Sequence, residues 1–95
     1  MTIAYVEAEL SSSNSWTDPI SVAGWFSLSI SGTWSGTITV QRRNRDPDVS
    51  DWKDVESFTS TVEKRGYEPE LNVQYRAGFA TGAYSSGTAV IRISQ

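Results

Sequence analysis

The stretch WFSLSISGTWSGTITVQRR, residues 25–43, sets the expectation for the fold. Three apolar residues alternate with serines over residues 26–31, and two more alternate with polar residues over residues 37–41. Alternation with a period of two is typical of a strand that has one buried and one solvated face. The segment 31–36 carries two glycines, which favour a turn. We therefore predict an antiparallel hairpin over the whole stretch, with Trp34 in its turn.

Other segments of the chain carry strand patterns separated by polar turns. Residues 73–79 alternate cleanly, whereas the large side chains of residues 52–59 depart from a period of two, which predicts a bulge. Residues 81–87 are predicted as a loop because they are rich in glycine and serine. The remaining predicted strands lie at residues 3–10, 19–23, 61–64 and 88–94. About seven to eight strands predict an all-β fold, a small antiparallel β-sandwich of Ig-like or jelly-roll-like type, as one domain over residues 1–95.

The side chains on which most enzymes and transition-metal sites depend are missing from the sequence. The 95 residues include no His and no Cys, which removes the commonest general base and the commonest zinc ligands. The cluster Asp46, Asp48, Asp51 and Asp54 lacks the spacing of a calcium loop, so a solvated turn explains it better than a metal site or a glycosidase pair. We expect no enzyme, no catalytic residue, no metal and no cofactor.

The charge balance argues against nucleic acid as a partner. The formal net charge is −3, from 8 basic and 11 acidic residues, whereas nucleic-acid binding usually requires a basic face. No stretch is long and apolar enough to span a membrane, and the first residues do not resemble a signal peptide. We therefore expect a chain that is made in the cytoplasm and that contacts neither nucleic acid nor a membrane.

Aromatic and arginine side chains at turn or outer-face positions are the best candidates for contacts with a protein partner, because these residue types dominate interface energetics. The candidates are Trp16, Trp34, Arg42, Arg43, Arg45 and Tyr84. Two alternatives stay open: Trp34 could fold back over the hairpin, and the arginines could neutralise the neighbouring aspartates. A carbohydrate platform formed by Trp16, Trp34 and Tyr84 is a further hypothesis. The residues expected to be structural are Trp25, Phe26, Leu28, Ile38, Val40, Val55, Phe58, Tyr75 and Ile91.

Three stretches stand out when they are read together: GWFSLSISGTWSGTITVQRR (24–43), DWKDVESFTSTVEKRGYEPE (51–70) and VQYRAGFATGAYSSGTAVIRISQ (73–95). Together they resemble a family of small β-sandwich virion proteins from tailed bacteriophages, over residues 20–95. In one place the chain departs from that family. Where its members often have a short Asp-Gly-Gly turn before a tryptophan, this chain has the longer, charged RNRDPDVSDW (43–52). Contacts made through this loop would be particular to this protein.

The resemblance implies a virion structural protein without enzymatic activity. The expected role is that of a capsid decoration (cement) protein, which binds the outer surface of the assembled head, contacts the major capsid protein or other virion proteins, and stabilises the shell. A head-fibre base and a tail or connector component are the alternatives within this class. The expected location is the capsid surface of the virion, and the expected assembly is a homo-oligomer, for which a trimer is one arrangement.

Overall fold

Five antiparallel strands make up the part of the chain that the structure describes. The computed structural model describes residues 5–44 and 51–95, with the backbone alone described at residue 72. The strands are β1 (Tyr5–Leu10), β2 (Ser15–Trp16), β3 (Ile20–Asn44), β4 (Lys53–Phe58) and β5 (Val62–Ser94). They form one sheet in the order β1-β5-β3-β4, and β2 also pairs with β5. The predicted all-β antiparallel class is confirmed. In the described ranges, no helix has the length and apolar character needed to cross a membrane.

The predicted hairpin turn at residues 31–36 is wrong. These residues stay extended within β3 and pair with β5, with Ser31 opposite Val90 and Trp34 opposite Gly87. Gly32 has a positive φ of 92°, and a Cβ there would lie 2.5 Å from the carbonyl oxygen of Thr88. The glycines therefore let two strands bend and approach closely instead of reversing the chain. The predicted loop at 81–87 is wrong for the same reason, since it forms the β5 side of this pairing.

The register of β3 and β5 makes β3 curve back on itself. Residues 73–75 of β5 pair with residues 20–22 at one end of β3 and with residues 42–44 at the other. A straight strand of 25 residues would span about 80 Å. Neighbouring strands are about 4.8 Å apart, so the two ends of β3 instead lie roughly 10 Å from each other across β5. The sheet consequently has an inner face that is shielded from solvent.

Among the described residues, fourteen buried apolar side chains form one core cluster on that inner face. Every second residue from Val73 to Phe79 belongs to it, which confirms the alternation read for that segment. The cluster consists of Leu10, Ile20, Val22, Leu28, Ile30, Ile38, Val40, Val73, Tyr75, Ala77, Phe79, Ala89, Ile91 and Ile93. At roughly 1.5–3 kcal/mol for each large side chain, these residues supply most of the force that holds the sheet curved.

Two residues expected to be structural are exposed. Trp25 is 61% exposed because it lies on the face opposite Phe26 and Leu28. Val55 is 49% exposed because β4 is the last strand in the sheet order, where residues 53–57 are all exposed. The bulge predicted for this segment is confirmed, since Val40 pairs with Glu56 and Gln41 pairs with Asp54, which leaves Val55 between them without a partner. Val55 nevertheless lines a cavity together with the core residues Leu28, Val40 and Tyr75.

We predict that Gly78→Ala destabilises the fold more than Gly82→Ala. A Cβ at Gly78 would overlap the carbonyl oxygen of Ser15 and force β2 away from β5, at a cost of about 2–3 kcal/mol. Gly82 has open space around it, and its φ of 81° costs alanine only about 1 kcal/mol. Urea unfolding followed by tryptophan fluorescence measures the decrease in the free energy of unfolding for each variant. Equal decreases for the two variants would contradict the close approach of β2 to β5.

Candidate interaction surface

Four side chains form a continuous stack on the outer face of the sheet. The guanidinium carbon of Arg76 lies 4.3 Å from the ring centroid of Trp16 and 4.5 Å from that of Trp52. The guanidinium carbon of Arg43 lies 4.5 Å from the Trp52 ring. We call Trp16, Arg76, Trp52 and Arg43 the aromatic–arginine ladder. It alternates rings and cations, the arrangement in which a ring quadrupole stabilises a positive charge.

The strand register explains why these residues meet. Gln41 pairs with Arg76 and Arg43 with Gln74, so residues two apart on each strand point to the same outer face. Trp16 enters from β2, opposite Gly78. The absence of a side chain at Gly78 lets β2 reach its position at the edge of the ladder.

Two glutamines hold the guanidinium groups in place. Arg76 Nε donates to Gln41 Oε1 over 2.9 Å, and Arg43 Nε donates to Gln74 Oε1 over 3.1 Å. Gln41 in turn donates from Nε2 to Asp54 Oδ1 over 2.8 Å. These bonds fix the plane of each guanidinium through Nε, while the terminal nitrogens have no hydrogen-bond partner among the described residues. The ladder is therefore oriented before any partner arrives.

The ladder concentrates positive charge on a chain that is acidic overall. Burial lowers the pKa of Arg76, and the nearby charge of Arg43 lowers it further. Within the described ranges, neither arginine lies within ion-pair distance of a carboxylate. Two like charges that lie close together favour an anionic group placed between or above them.

A second polar cluster is structural in character. The Glu68 carboxylate is buried and accepts from Arg42 Nε at 2.9 Å, from Arg42 Nη2 at 3.0 Å and from the Tyr75 hydroxyl at 2.7 Å. Burial raises the pKa of Glu68, but the hydrogen bonds from Arg42, Tyr75 and the Glu70 amide outweigh it, so the net pKa lies below the ordinary 4.5. Burial and the same carboxylate raise the pKa of Tyr75 to about 12. The cluster thus fixes one end of β5 onto β3.

The predicted contact residues are distributed over three environments. Trp16 and Arg43 belong to the ladder, and Arg42 pairs with Glu68. Trp34 and Tyr84 both pack edge-to-face on Phe79, with centroids 5.8 and 5.1 Å away. Trp34 therefore folds back onto the core, as its alternative interpretation had it, although it lies in a strand and not in a turn. Arg45 lies outside the described residues.

Sequence reasoning missed two members of the ladder as contact candidates. The alternation of residues 73–79 does place Arg76 on the outer face. That Trp52 reaches the same place depends on the position of β4 beside β3, which no local pattern shows. Of the acidic cluster, Asp46 and Asp48 lie outside the described residues. Where the chain is described, no three His, Cys, Asp or Glu side chains are grouped so that they could hold a metal ion.

Comparisons with protein-family models, with curated proteins and with solved structures gave no match to this chain.

We predict that Glu68→Gln lowers the free energy of unfolding at neutral pH by about 2–3 kcal/mol, because charge-assisted hydrogen bonds from Arg42 and Tyr75 are weakened. The pKa of Glu68 in the folded chain lies below that of the unfolded chain. Its contribution is therefore complete above pH 4.5 and is lost as the pH falls through the folded-state pKa. The difference between the wild type and Glu68→Gln should narrow over that acid range.

The matched control for this experiment is Glu70→Gln. Glu70 is exposed and lies 3.6 Å from the Arg42 guanidinium, so its replacement should change the free energy of unfolding by about 0.5 kcal/mol or less. The prediction fails if the difference in free energy of unfolding between the wild type and Glu68→Gln stays constant down to the lowest pH measured. The Glu68 carboxylate would then not be the titrating group.

A double-mutant cycle tests the ladder itself. We predict that Trp52→Leu and Arg76→Gln are coupled by about 0.5–1 kcal/mol, the strength of a cation–π contact at a partly exposed site. Arg92 stacks on Tyr5 instead, with its guanidinium carbon 4.3 Å from that ring. The control pair Trp52→Leu and Arg92→Gln should therefore be additive within about 0.5 kcal/mol. Equal coupling in both pairs would refute a direct contact between Trp52 and Arg76.

Proposed function

We propose that this protein is a virion structural protein of a tailed bacteriophage, and that it acts as a capsid decoration (cement) protein on the outer surface of the assembled head. Two lines of reasoning support the proposal. The sequence over residues 20–95 resembles such proteins, and the aromatic–arginine ladder has the composition of a protein-binding surface. The ladder is the observation that carries the proposal, because it locates a candidate contact surface and indicates the chemistry of the partner.

The proposed scaffold is a two-layer β-sandwich. The seven to eight strands expected from the sequence would require the long strands β3 and β5 each to count as more than one strand of the sandwich. The molecule measures 35 × 31 × 18 Å. The shortest dimension fits two sheets packed about 10 Å apart plus their outward side chains. A flat, rigid body of this kind presents broad outer faces on which a partner can dock.

The ladder suits adhesion because its geometry is already fixed. Trp and Arg are enriched among the few residues that carry most of the energy of protein interfaces. Side chains that are stacked and hydrogen-bonded before binding lose less conformational entropy on association. The positive charge of Arg43 and Arg76 points to an acidic patch on the partner, for which we propose the major capsid protein or another virion protein.

Stabilisation of the head then follows from mass action. A protein that binds the expanded shell and not the unexpanded or dissociated subunits shifts the equilibrium toward the expanded shell. It needs no catalytic group and no cofactor for this role. A homo-oligomer, with a trimer as the arrangement to test, would multiply weak single contacts through effective concentration.

A head-fibre base or a tail or connector component is the alternative within this class. Copy number separates the roles, since a decoration protein occurs in hundreds of copies per particle and a fibre base or connector in about a dozen or fewer. Quantitative mass spectrometry of purified virions counts the copies, and light scattering of the purified protein gives its oligomeric state. The carbohydrate platform expected at Trp16, Trp34 and Tyr84 gains no support, because the last two pack against buried Phe79.

We predict that the purified protein binds expanded heads of its phage and not unexpanded ones, and that Trp52→Ala weakens this binding by about tenfold or more. Sedimentation of heads with labelled protein measures the bound fraction. The binding should also weaken as salt rises, because the ladder is cationic.

Trp25→Ala is the matched control for this variant. It removes an equally large, exposed ring elsewhere on the molecule, so it should leave binding to heads within about twofold of the wild type. Melting temperatures of both variants show that each is folded. If wild-type protein fails to bind expanded heads, the decoration role is wrong. If the two variants bind equally well, the contact is not made by the ladder.

A further inference from the structure

A groove on another part of the outer face has the chemistry of a saccharide site. It has a volume of about 210 Å³ and is lined by Trp25, Phe26, Ser27, Arg65, Ser94 and Gln95. At roughly 30 Å³ per water molecule, this is the space of about seven waters, close to that of one sugar ring. Because it shares no residue with the ladder, the inference stands independently of the function proposed for the ladder.

We propose that this groove binds an acidic saccharide, with a pyranose ring against Trp25 and the sugar carboxylate on Arg65. Ligand sites commonly combine aromatic walls with a few placed polar groups. The groove offers both, since its lining joins aromatic rings to hydroxyl, amide and guanidinium groups.

The wall is an aromatic pair that is exposed in the free protein. Trp25 is 61% exposed and Tyr67 is 57% exposed, although both are large rings on a sheet. Their centroids lie 5.1 Å apart with planes tilted by 59°, so each ring supports the other. An exposed ring with a fixed orientation offers a flat apolar face that the C–H side of a sugar ring can cover.

The floor is made of small hydroxyl side chains in register. Ser27 pairs with Ser94 on one edge and with Arg65 on the other, so all three point to the same face. Neither serine hydroxyl has a hydrogen-bond partner among the described residues, which leaves both able to bond sugar hydroxyls. Because serine is short, the floor lies lower than the Trp25 ring beside it, and this difference in height forms the groove.

One end of the groove is held by Gln95, which directly follows β5. The Gln95 side-chain amide donates to the Ala23 and Trp25 carbonyls, and its Oε1 accepts from the Ala23 amide over 3.3 Å. These bonds tie Gln95 to the backbone that carries Trp25. The aromatic wall is thereby fixed relative to the serine floor.

Charge selects an acidic sugar over a neutral one. The guanidinium carbon of Arg65 lies 5.4 Å from the Trp25 centroid, so a ring stacked on Trp25 would bring its substituents within reach of this cation. Within the described ranges, Arg65 has no carboxylate at ion-pair distance. Guanidinium binds carboxylate with two parallel hydrogen bonds, which adds both affinity and orientation.

The test is a titration of the full chain with three acidic probes: trigalacturonic acid, a hyaluronan tetrasaccharide and sialyllactose. Lactose and chitotetraose are the neutral counterparts. Calorimetry gives the affinities, and amide chemical shifts in NMR spectra locate the site. We expect at least one acidic probe to bind in the millimolar range or tighter. The shifts should centre on residues 25–27, 65–67 and 94–95, and the neutral probes should bind about tenfold more weakly.

Variants separate the wall from the charge. Trp25→Ala should weaken binding of the acidic probe by about tenfold or more. Arg65→Gln should weaken binding of the acidic probe much more than binding of the neutral probe, so that the preference between them is lost. The control Trp52→Ala, which is expected to lose binding to heads, should bind the saccharide normally.

Three outcomes of these titrations would overturn the proposed site. No heat and no shift with any of the three acidic probes at millimolar concentration would overturn the site. Shifts centred on the ladder, or equal binding of acidic and neutral probes to wild-type protein, would overturn it as well. Saccharide binding is tested with Trp25→Ala, and head binding is tested with Trp52→Ala. Failure of one proposal therefore leaves the result for the other unaffected.

Discussion

The pairing of β3 with β5 is the constraint on which the rest of the molecule depends. Residues 73–75 lie between the two ends of β3, so a strand of 25 residues must close around the core. Glycines let the two strands approach closely, because at Gly32 and Gly87 the facing backbone leaves no room for a Cβ. Once β3 is curved, the period of two assigns each side chain to the inside or the outside. The core and the binding surfaces are two consequences of that one register.

The same register explains why the outer faces carry arginines stacked on aromatic rings. Four of the five arginines in the described ranges lie over a ring: Arg43, Arg65, Arg76 and Arg92. The fifth, Arg42, is held by buried Glu68. Stacking orients a long, flexible side chain without neutralising it, so the cation stays available to an anionic partner. An ion pair at the same position would hold the side chain equally well but would cancel its charge.

Local sequence patterns predict features of a single strand, but they do not predict contacts between strands that are distant in sequence. A period of two identifies the buried residues from Val73 to Phe79, and its interruption predicts a bulge within residues 52–59, which the structure places at Val55. The residue types of 31–36 predict a turn, and that prediction is wrong. The glycines of this segment instead allow a close contact between two strands. The ladder depends on Gln41 facing Arg76, a separation of 35 residues that no local pattern reports. Residue type alone indicates Arg43 and Trp16 as contact candidates. That Trp52 and Arg76 lie beside them follows only from the fold.

The acidic net charge and the cationic surfaces are compatible because they act over different distances. A net charge of −3 governs solubility and weak long-range forces, which salt screens within about 8–10 Å. Binding is decided at contact, where Arg43 and Arg76 lie in the ladder and Arg65 lies beside Trp25. Because two separate surfaces carry this combination, a partner bound at one, as proposed, would leave the other open to solvent. The two proposed binding roles would need only geometry and charge, which a chain without histidine or cysteine can supply.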